Sequence, residues 1–229
     1  MIIAIDAGHG YNTSGKRTCP FPDGRQMREH EFNRDVALNL DYRLRRAGHE
    51  TMICFDQIGV NDFTLKQRTT IANEKKADIF VSVHANAWGE GENWNDVNGL
   101  VAMYYPNSVQ GERLARSVLP ELQKTTNLPI NSYQAVSYAV LRDTFMPAVI
   151  IECGFMTNRS DAEKLLTYEY RNSCAEGIYN GILKYFGLTD KKESWYRVQV
   201  GAYKELPNAE TMAKKLVDEG YEAYIRQCE

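Results

Sequence analysis

Residues 148–152, with the sequence AVIIE, place a carboxylate directly after four apolar residues. A short apolar run of this kind is typical of a strand buried in a sheet. Two further apolar runs lead into side chains that can bind a metal, residues 2–5 into His9 and residues 79–83 into His84. In an open α/β sheet, groups just past the carboxyl ends of strands converge on one crevice. Two histidines and a carboxylate brought together there are typical of a metal-dependent hydrolase.

Strand and helix patterns alternate along most of the chain, which predicts a layered α/β domain. Phe32, Val36, Leu40 and Leu44 recur every fourth residue and predict an amphipathic helix that ends near Gly48. The other predicted elements are strands at 2–6, 50–55, 79–83, 100–105 and 148–151, helices at 64–76, 112–125 and 171–186, and a short extended segment at 140–142.

Length and composition limit the functional classes. A chain of 229 residues has room for one domain and a small appendage. With 43% hydrophobic and 25% charged residues it belongs to the soluble globular class. The net charge of −3 and the lack of a basic cluster exclude nucleic acid as an expected partner. The five scattered cysteines contain no C-x-x-C pair and are expected to be reduced and mostly buried.

The start of the chain bears on where the protein is expected to act. No apolar run approaches the roughly 18 residues that span a bilayer, so no transmembrane segment is expected. The chain opens directly on a strand, without the pattern of a secretory signal. We expect synthesis in the cytoplasm and release by another route, or removal of a signal beforehand; Met1 favours the first.

The last part of the chain has a different composition. Residues 195–201 alternate with period two, a helix is predicted from Asn208, and residues 221–225 are again extended. This β-α-β unit is too small for a stable core of its own, so it must pack on the main domain, a ligand surface or a second copy. The predicted boundaries are a catalytic domain at 1–188, a linker without apolar residues at 189–194 and the small unit at 195–229.

The residue types near the strand ends suit zinc. A catalytic zinc site has three protein ligands and one open position. His9 and His84 are candidate ligands, and each is flanked by small residues. The third candidate comes from the start of the first long helix, where Glu29 lies three residues before Phe32 and can share its core-facing stripe. Geometry therefore favours Glu29 over Glu31, whereas His30 and His49 are expected to be solvated.

Glu152 is the candidate general base. A carboxylate at the end of a buried strand is partly desolvated, which raises its pKa towards neutrality and lets it accept a proton from zinc-activated water. The plainer alternative is a buried glutamate that pairs with Arg142 or another cation.

In this order, the motifs resemble the zinc-dependent N-acetylmuramoyl-L-alanine amidases of the type-3 amidase family. The resemblance implies a mixed six-stranded sheet flanked by helices, zinc on His9, Glu29 and His84, and Glu152 as the catalytic carboxylate. It also implies hydrolysis of the amide between the muramyl lactyl group and L-alanine in peptidoglycan. The matching stretches are 6–10 (DAGHG), 27–29 (MRE), 33–40, 68–78, 82–86 (SVHAN), 140–142 (VLR), 146–149 and 152–158.

The tail resembles one half of a sporulation-related repeat (SPOR) domain, through residues 195–203, 209–216 and 220–221. The resemblance implies binding to glycan strands stripped of their stem peptides. A full module has two such halves. Either one half has been lost, or two chains supply one each, which predicts a homodimer.

The leading hypothesis is a cell-wall amidase, either a phage endolysin released by a holin or, as the alternative, a mother-cell lytic enzyme of a spore former. A zinc peptidase or deacetylase acting on the wall is a different class of enzyme, but we place neither a cationic clamp nor an acetyl pocket for it. A non-catalytic wall-binding module is disfavoured because all four site residues are present.

Overall fold

The computed structural model describes residues 1–57, 61–89, 91, 93–189 and 201–221. The chain forms two compact units, residues 1–191 and residues 192–229. Among the described residues, no helix is both long enough and apolar enough to cross a membrane.

The first unit contains one mixed sheet of six strands in the order β2-β1-β3-β6-β4-β5. β1, β2, β3 and β6 are parallel, β4 is antiparallel to β6, and β5 is parallel to β4. This arrangement confirms the predicted fold class. The strands are β1 (Ile2–Ala7), β2 (Glu50–Ile53), β3 (Ile79–Asn86), β4 (Leu100–Tyr104), β5 (Ile130–Ala135) and β6 (Ala148–Phe155).

Helices cover both faces of the sheet, which is why the central strands read as continuous apolar runs. α1, α3 and α6 pack on one face against side chains such as Ile5, Val83 and Ile151. α2 and α4 pack on the other face, against Phe80 and Ile150. The helices of this unit are α1 (Glu29–Arg46), α2 (Leu65–Glu74), α3 (Val109–Thr126), α4 (Ala139–Arg142), α5 (Arg159–Leu165) and α6 (Tyr168–Tyr185).

α1 forms where the fourfold apolar repeat predicts it. Phe32, Val36, Leu40 and Leu44 are fully buried against the sheet. Acidic residues lie in the first turn and three arginines in the last, which complements the helix dipole. Since the buried stripe begins at the first turn, α1 directs its amino-terminal side chains towards the sheet.

Several elements differ from the sequence-based prediction. Residues 140–142 form part of the short helix α4, so the extended segment predicted there is wrong. β5 and α5 were not predicted. β3 and β6 also continue beyond their apolar runs, so that His84 and Glu152 lie within strands rather than after them.

In the second unit, the structure describes residues 201–221. α7 (Leu206–Asp218) occupies the position of the predicted helix, with Pro207 in its first turn. The predicted strands at 195–201 and 221–225 lie outside the described residues, apart from Gly201 and Tyr221.

Candidate metal centre

Three neighbouring strands and one helix start meet at the carboxyl edge of the sheet. β1 leads into His9, β3 carries His84, and β6 carries Glu152. His84 and Glu152 are direct cross-strand neighbours in the β3–β6 pairing. Glu29 is the first residue of α1 and is buried, as Glu152 is, whereas the two histidines are partly exposed.

The two histidines contact opposite oxygens of one carboxylate. His9 Nε2 lies 3.2 Å from Glu29 Oε2, and His84 Nδ1 lies 3.0 Å from Glu29 Oε1. One donor atom from each of the three residues lies within 4.8 Å of the other two. The imidazole rings are edge to face, with centroids 5.1 Å apart. Two imidazole nitrogens and a carboxylate oxygen are a donor set typical of zinc.

Glu29 is held in place by hydrogen bonds from outside this cluster. Asn33 Nδ2 donates to Glu29 Oε1 (3.1 Å) and to the Gly8 carbonyl (3.0 Å). The Ala85 backbone N–H also donates to Oε1, over 3.3 Å. Glu31 instead accepts from the Arg28 backbone N–H as part of a capping box. The structure therefore places Glu29, and not Glu31, between the histidines.

The electrostatics of the cluster favour a positive charge between these side chains. Burial raises the pKa of Glu29, but hydrogen bonds from His84 and His9 outweigh burial and hold that pKa well below its usual range. Burial lowers the pKa of His84, but the bond to Glu29 and the charge of Glu152 outweigh it and raise that pKa. A metal cation in the same position would meet the same favourable field, so the residues present fit zinc.

Backbone geometry brings His9 close to His84. His9 has a φ of 62°, in the left-handed region that few residues other than glycine occupy. Gly8 precedes it, and a Cβ at Gly8 would lie 1.9 Å from Cε1 of His84. Only glycine leaves room for the His84 ring at this point.

Glu152 lies beside the cluster with one oxygen unsatisfied. Its Oε2 is buried and has no hydrogen-bond partner among the described residues. Burial raises the pKa of Glu152 to about 7; the charge of Glu29 adds to this effect, whereas those of His84 and Lys16 oppose it. Arg142 pairs with Asp143 (Nε–Oδ1, 2.8 Å), so pairing of Glu152 with Arg142 is wrong. An unpaired buried carboxyl with a pKa near neutrality is suited to accepting a proton.

A cavity of about 730 Å³ opens above these residues. This volume lies within the range of small-molecule ligand pockets, about 300–1,000 Å³. Beyond the four site residues, its lining includes Lys16, Leu65, Tyr138 and Val140.

The environments of the other histidines differ from expectation. His30 is buried, which contradicts its predicted surface position, and its Nδ1–H donates to the His9 carbonyl (3.1 Å). The loop between β1 and α1 covers the first turn of α1. The apolar pattern of a helix does not predict burial by such a loop, so the burial of His30 was missed. His49 is half-buried, so it is less solvated than predicted.

Asp6, Arg68 and Ser82 lie inside the sequence motifs, but the sequence alone predicted no role for them. All three are buried polar residues beneath the histidines. Their signal was a charged or hydroxyl side chain within an otherwise apolar strand or helix face.

Comparison with known proteins identifies the family. The profile of the N-acetylmuramoyl-L-alanine amidases matches residues 3–184. The chain belongs to this family. A SPOR-domain profile matches residues 187–227, in agreement with the resemblance of the tail. The chain is thus a peptidoglycan hydrolase of the amidase type with a SPOR-type carboxyl terminus.

Curated relatives match most of the chain. The amidase CwlM of Bacillus licheniformis is 29% identical over 97% of this chain and 83% of its own length. The sporulation-specific amidase of Bacillus subtilis is 28% identical over the same shares. The endolysin of Bacillus phage SPP1 is 25% identical over 83% of this chain and 68% of its own.

Solved structures show the same fold. An N-acetylmuramoyl-L-alanine amidase from Clostridium difficile 630 is 30% identical and superposes with a TM-score of 0.72. The match covers 81% of this chain and 96% of that structure.

Proposed function

We propose that this chain hydrolyses the amide between N-acetylmuramic acid and L-alanine with zinc held by His9, Glu29 and His84, and with Glu152 as general base. The observation that carries the proposal is the position of Glu29 between His9 and His84, with donor atoms of all three within 4.8 Å. When bound there, zinc supplies Lewis acidity, which lowers the pKa of water and polarises the scissile carbonyl.

The protein residues orient the metal ligands and transfer the protons. Glu29 is fixed by Asn33 and the Ala85 amide, so the donor set is organised before substrate arrives. Glu152 Oε2, which has no other partner among the described residues, accepts the proton of the attacking water. The same carboxyl can pass that proton to the leaving amine of L-alanine, as general acid–base catalysis requires.

Glu152→Gln tests the catalytic role, because it keeps the side-chain volume and removes the base. We expect the hydrolysis rate to fall roughly 10²–10⁴-fold, the usual contribution of a general base. Purified peptidoglycan is digested, and free L-alanine amino termini and new reducing sugars are counted. New amino termini without new reducing ends support the amidase; new reducing ends from the wild type would show a glycosidase and refute the proposal.

Asp161→Asn is the matched control for Glu152→Gln. Asp161 is another buried acid, which accepts hydrogen bonds from the Gly99 and Phe155 backbone N–H groups and lies outside the donor cluster. We expect this variant to lose stability but to keep its rate per folded molecule. An equal loss of rate in both variants would show that the effect of Glu152→Gln is structural.

His84→Ala tests the metal assignment separately. It removes one of three ligands and is expected to abolish stoichiometric zinc binding, measured by elemental analysis after dialysis. His49→Ala is the control, since His49 lies outside the cluster. Full zinc content in His84→Ala would contradict the assignment while leaving the role of Glu152 open to its own test.

Two biological settings share this chemistry. The phage endolysin, which is the first prediction from sequence, stays a prediction. The two relatives that match over 97% of this chain are Bacillus amidases, and one is named as sporulation-specific. This match, which extends into the tail, favours a lytic enzyme of a spore former. Transcript levels in the source cells distinguish the settings, since an endolysin gene responds to phage induction and a mother-cell gene to sporulation.

We also propose that the unit at 195–229 binds peptidoglycan glycan strands. The SPOR profile match at 187–227 supports this proposal. The homodimer formed from two half-modules stays a prediction. Light scattering of the full chain at micromolar concentration tests it, and a strictly monomeric protein would contradict it.

A further inference from the structure

Asp6, Ser82 and Arg68 form a buried hydrogen-bonded network beneath the two histidines. Arg68 Nη1 donates to Asp6 Oδ1 (2.5 Å), and Ser82 Oγ donates to Asp6 Oδ2 (2.6 Å). Ser82 Oγ also lies 3.1 Å from His84 Nε2. The three residues are at most 2% exposed, so water cannot supply these hydrogen bonds and the side chains must supply them to one another.

The direction of each bond follows from the donor and acceptor capacity of its partners. Asp6, paired with the Arg68 guanidinium, is a carboxylate and can only accept. Ser82 has one hydroxyl proton, which it donates to Asp6. Its oxygen is then left to accept from His84, so the His84 Nε2 carries a hydrogen and donates.

The remaining nitrogen of His84 is thereby defined. In a neutral imidazole with a proton on Nε2, Nδ1 has a free lone pair. That lone pair points at Glu29 Oε1, 3.0 Å away, which is itself an acceptor. Without a metal, a proton on Nδ1 bridges these two atoms, and a metal cation bound there would take the place of that proton.

We propose that Asp6 and Ser82 are positioning residues that fix His84 in the Nε2–H tautomer and so present Nδ1 to the metal. The inference rests on the proposed zinc site. Ligating histidines commonly donate their second ring N–H to a fixed acceptor, which sets the tautomer and ring orientation. Here that acceptor is the Ser82 hydroxyl. It must accept from His84 because it donates its only proton to the Asp6 carboxylate.

Arg68 extends the network to the other histidine. Its guanidinium donates to the backbone carbonyls of Ala7 and His9, the latter at 2.9 Å. It thus holds the left-handed backbone of His9. One buried cation therefore orients Asp6, and through it His84, while fixing the loop that carries His9.

Ser82→Ala tests the role of the hydroxyl in the full-length protein. Zinc affinity is measured by competition with a chromophoric chelator. We expect affinity to fall roughly 10–100-fold, the usual effect of removing such an outer partner. Thr126→Val is the matched control, because Thr126 is buried, donates to the Leu122 carbonyl (2.6 Å) and lies on α3 away from the cluster. The control should lose stability without losing zinc affinity.

The tautomer of His84 can be measured directly, and it would not change if Asp6 and Ser82 were only structural. Nitrogen-15 NMR of the zinc-loaded wild type should show His84 bound through Nδ1 with a proton on Nε2. In Asp6→Asn the amide can donate to Ser82, which frees the hydroxyl to donate to Nε2 and favours the opposite tautomer. We expect weaker zinc binding in this variant as well.

Two results would overturn the inference. One is a folded Ser82→Ala variant that binds zinc as tightly as the wild type. The other is a wild type whose His84 binds zinc through Nε2. Both results differ from a failure of the proposed function itself. That failure would appear as a wild type that binds no zinc, and it would remove both proposals together.

Discussion

At the residue scale, the metal centre depends on how closely the β1 loop approaches His84. Gly8 lies against the ring, where an added Cβ would sit 1.9 Å from Cε1. Two hydrogen bonds also fix the loop. The Gly8 N–H donates to the Val83 carbonyl (3.0 Å), and the Gly8 carbonyl accepts from Asn33. The loop cannot move aside without breaking these bonds, and the ring cannot move aside without losing its contacts with Glu29 and Ser82.

Gly8→Ala should therefore lose zinc binding. The new methyl group must displace the His84 ring from Glu29, so we expect affinity for zinc to fall at least as far as in Ser82→Ala. Gly181→Ala is the control, because a Cβ there meets Cα of Val118 at 2.4 Å, far from the donor cluster. Both variants should be less stable, but only Gly8→Ala should release zinc in chelator competition. Retention of zinc by Gly8→Ala would show that the ring position is not critical.

Glu152 sets the expected pH dependence of hydrolysis. The base must be ionised to accept a proton, so the rate is highest above its pKa and falls as pH drops through that value. Burial raises the pKa of Glu152 to about 7, and a cation bound nearby favours the carboxylate and lowers it. We expect the acid limb of kcat/KM for a soluble muramyl peptide to have its midpoint at or below about 7. A rate that increases as pH falls below neutrality would contradict this role.

Much of the site could be predicted because its residues follow strong local signals. His9, His84 and Glu152 each accompany an apolar strand run, and Glu29 precedes the buried stripe of α1. Asp6 and Ser82 are direct partners in the β1–β3 register, but the sequence did not predict this contact. Alternation along a strand gives the face on which a side chain lies, but not its register with a strand 76 residues away.

At the element scale, the missed elements are those without a pattern of their own. β5 has half-buried and exposed residues along its length, so it lacks the apolar run that identified β3 and β6. α4 is a single turn of four residues, too short for a helical period to be visible. The conformation of such segments is set by tertiary contacts. β5 pairs with β4, and Val140 and Leu141 of α4 pack on the sheet face that carries Phe80 and Ile150.

The pair α3 and α6 depends on two glycines that let the helices approach closely. A Cβ at Gly177 would lie 2.5 Å from Cα of Leu122, and one at Gly181 would lie 2.4 Å from Cα of Val118. Backbone atoms cannot turn aside as flexible side chains can. The two helices must therefore separate if either glycine gains a side chain.

Gly177→Ala is accordingly expected to lower the free energy of unfolding by about 1–3 kcal/mol, the usual cost of overpacking a core. The measurement is the urea midpoint at unchanged slope, followed by circular dichroism. The rate of hydrolysis per folded molecule should stay at the wild-type value, because α3 and α6 cover the sheet face formed by Ile5 and Val83, and the donor cluster lies at the sheet edge. A large loss of rate at unchanged stability would contradict this separation.

At the scale of the whole molecule, hydrolysis and wall binding are expected to belong to different units. The described buried apolar residues on both faces of the sheet lie within the first unit, which ends at residue 191. The SPOR profile match covers residues 187–227. Each described side chain on α7 is at least partly exposed.

A chain ending at residue 188 tests this division of labour. Since the described buried apolar residues on both faces of the sheet all precede residue 188, we expect the shortened protein to keep the melting temperature of the first unit and its kcat on a soluble muramyl peptide. Sedimentation with purified glycan strands stripped of stem peptides should show binding by full-length Glu152→Gln and little binding by the shortened form. Equal sedimentation of both would place the glycan site in the first unit, and loss of kcat in the shortened form would show that the tail takes part in hydrolysis.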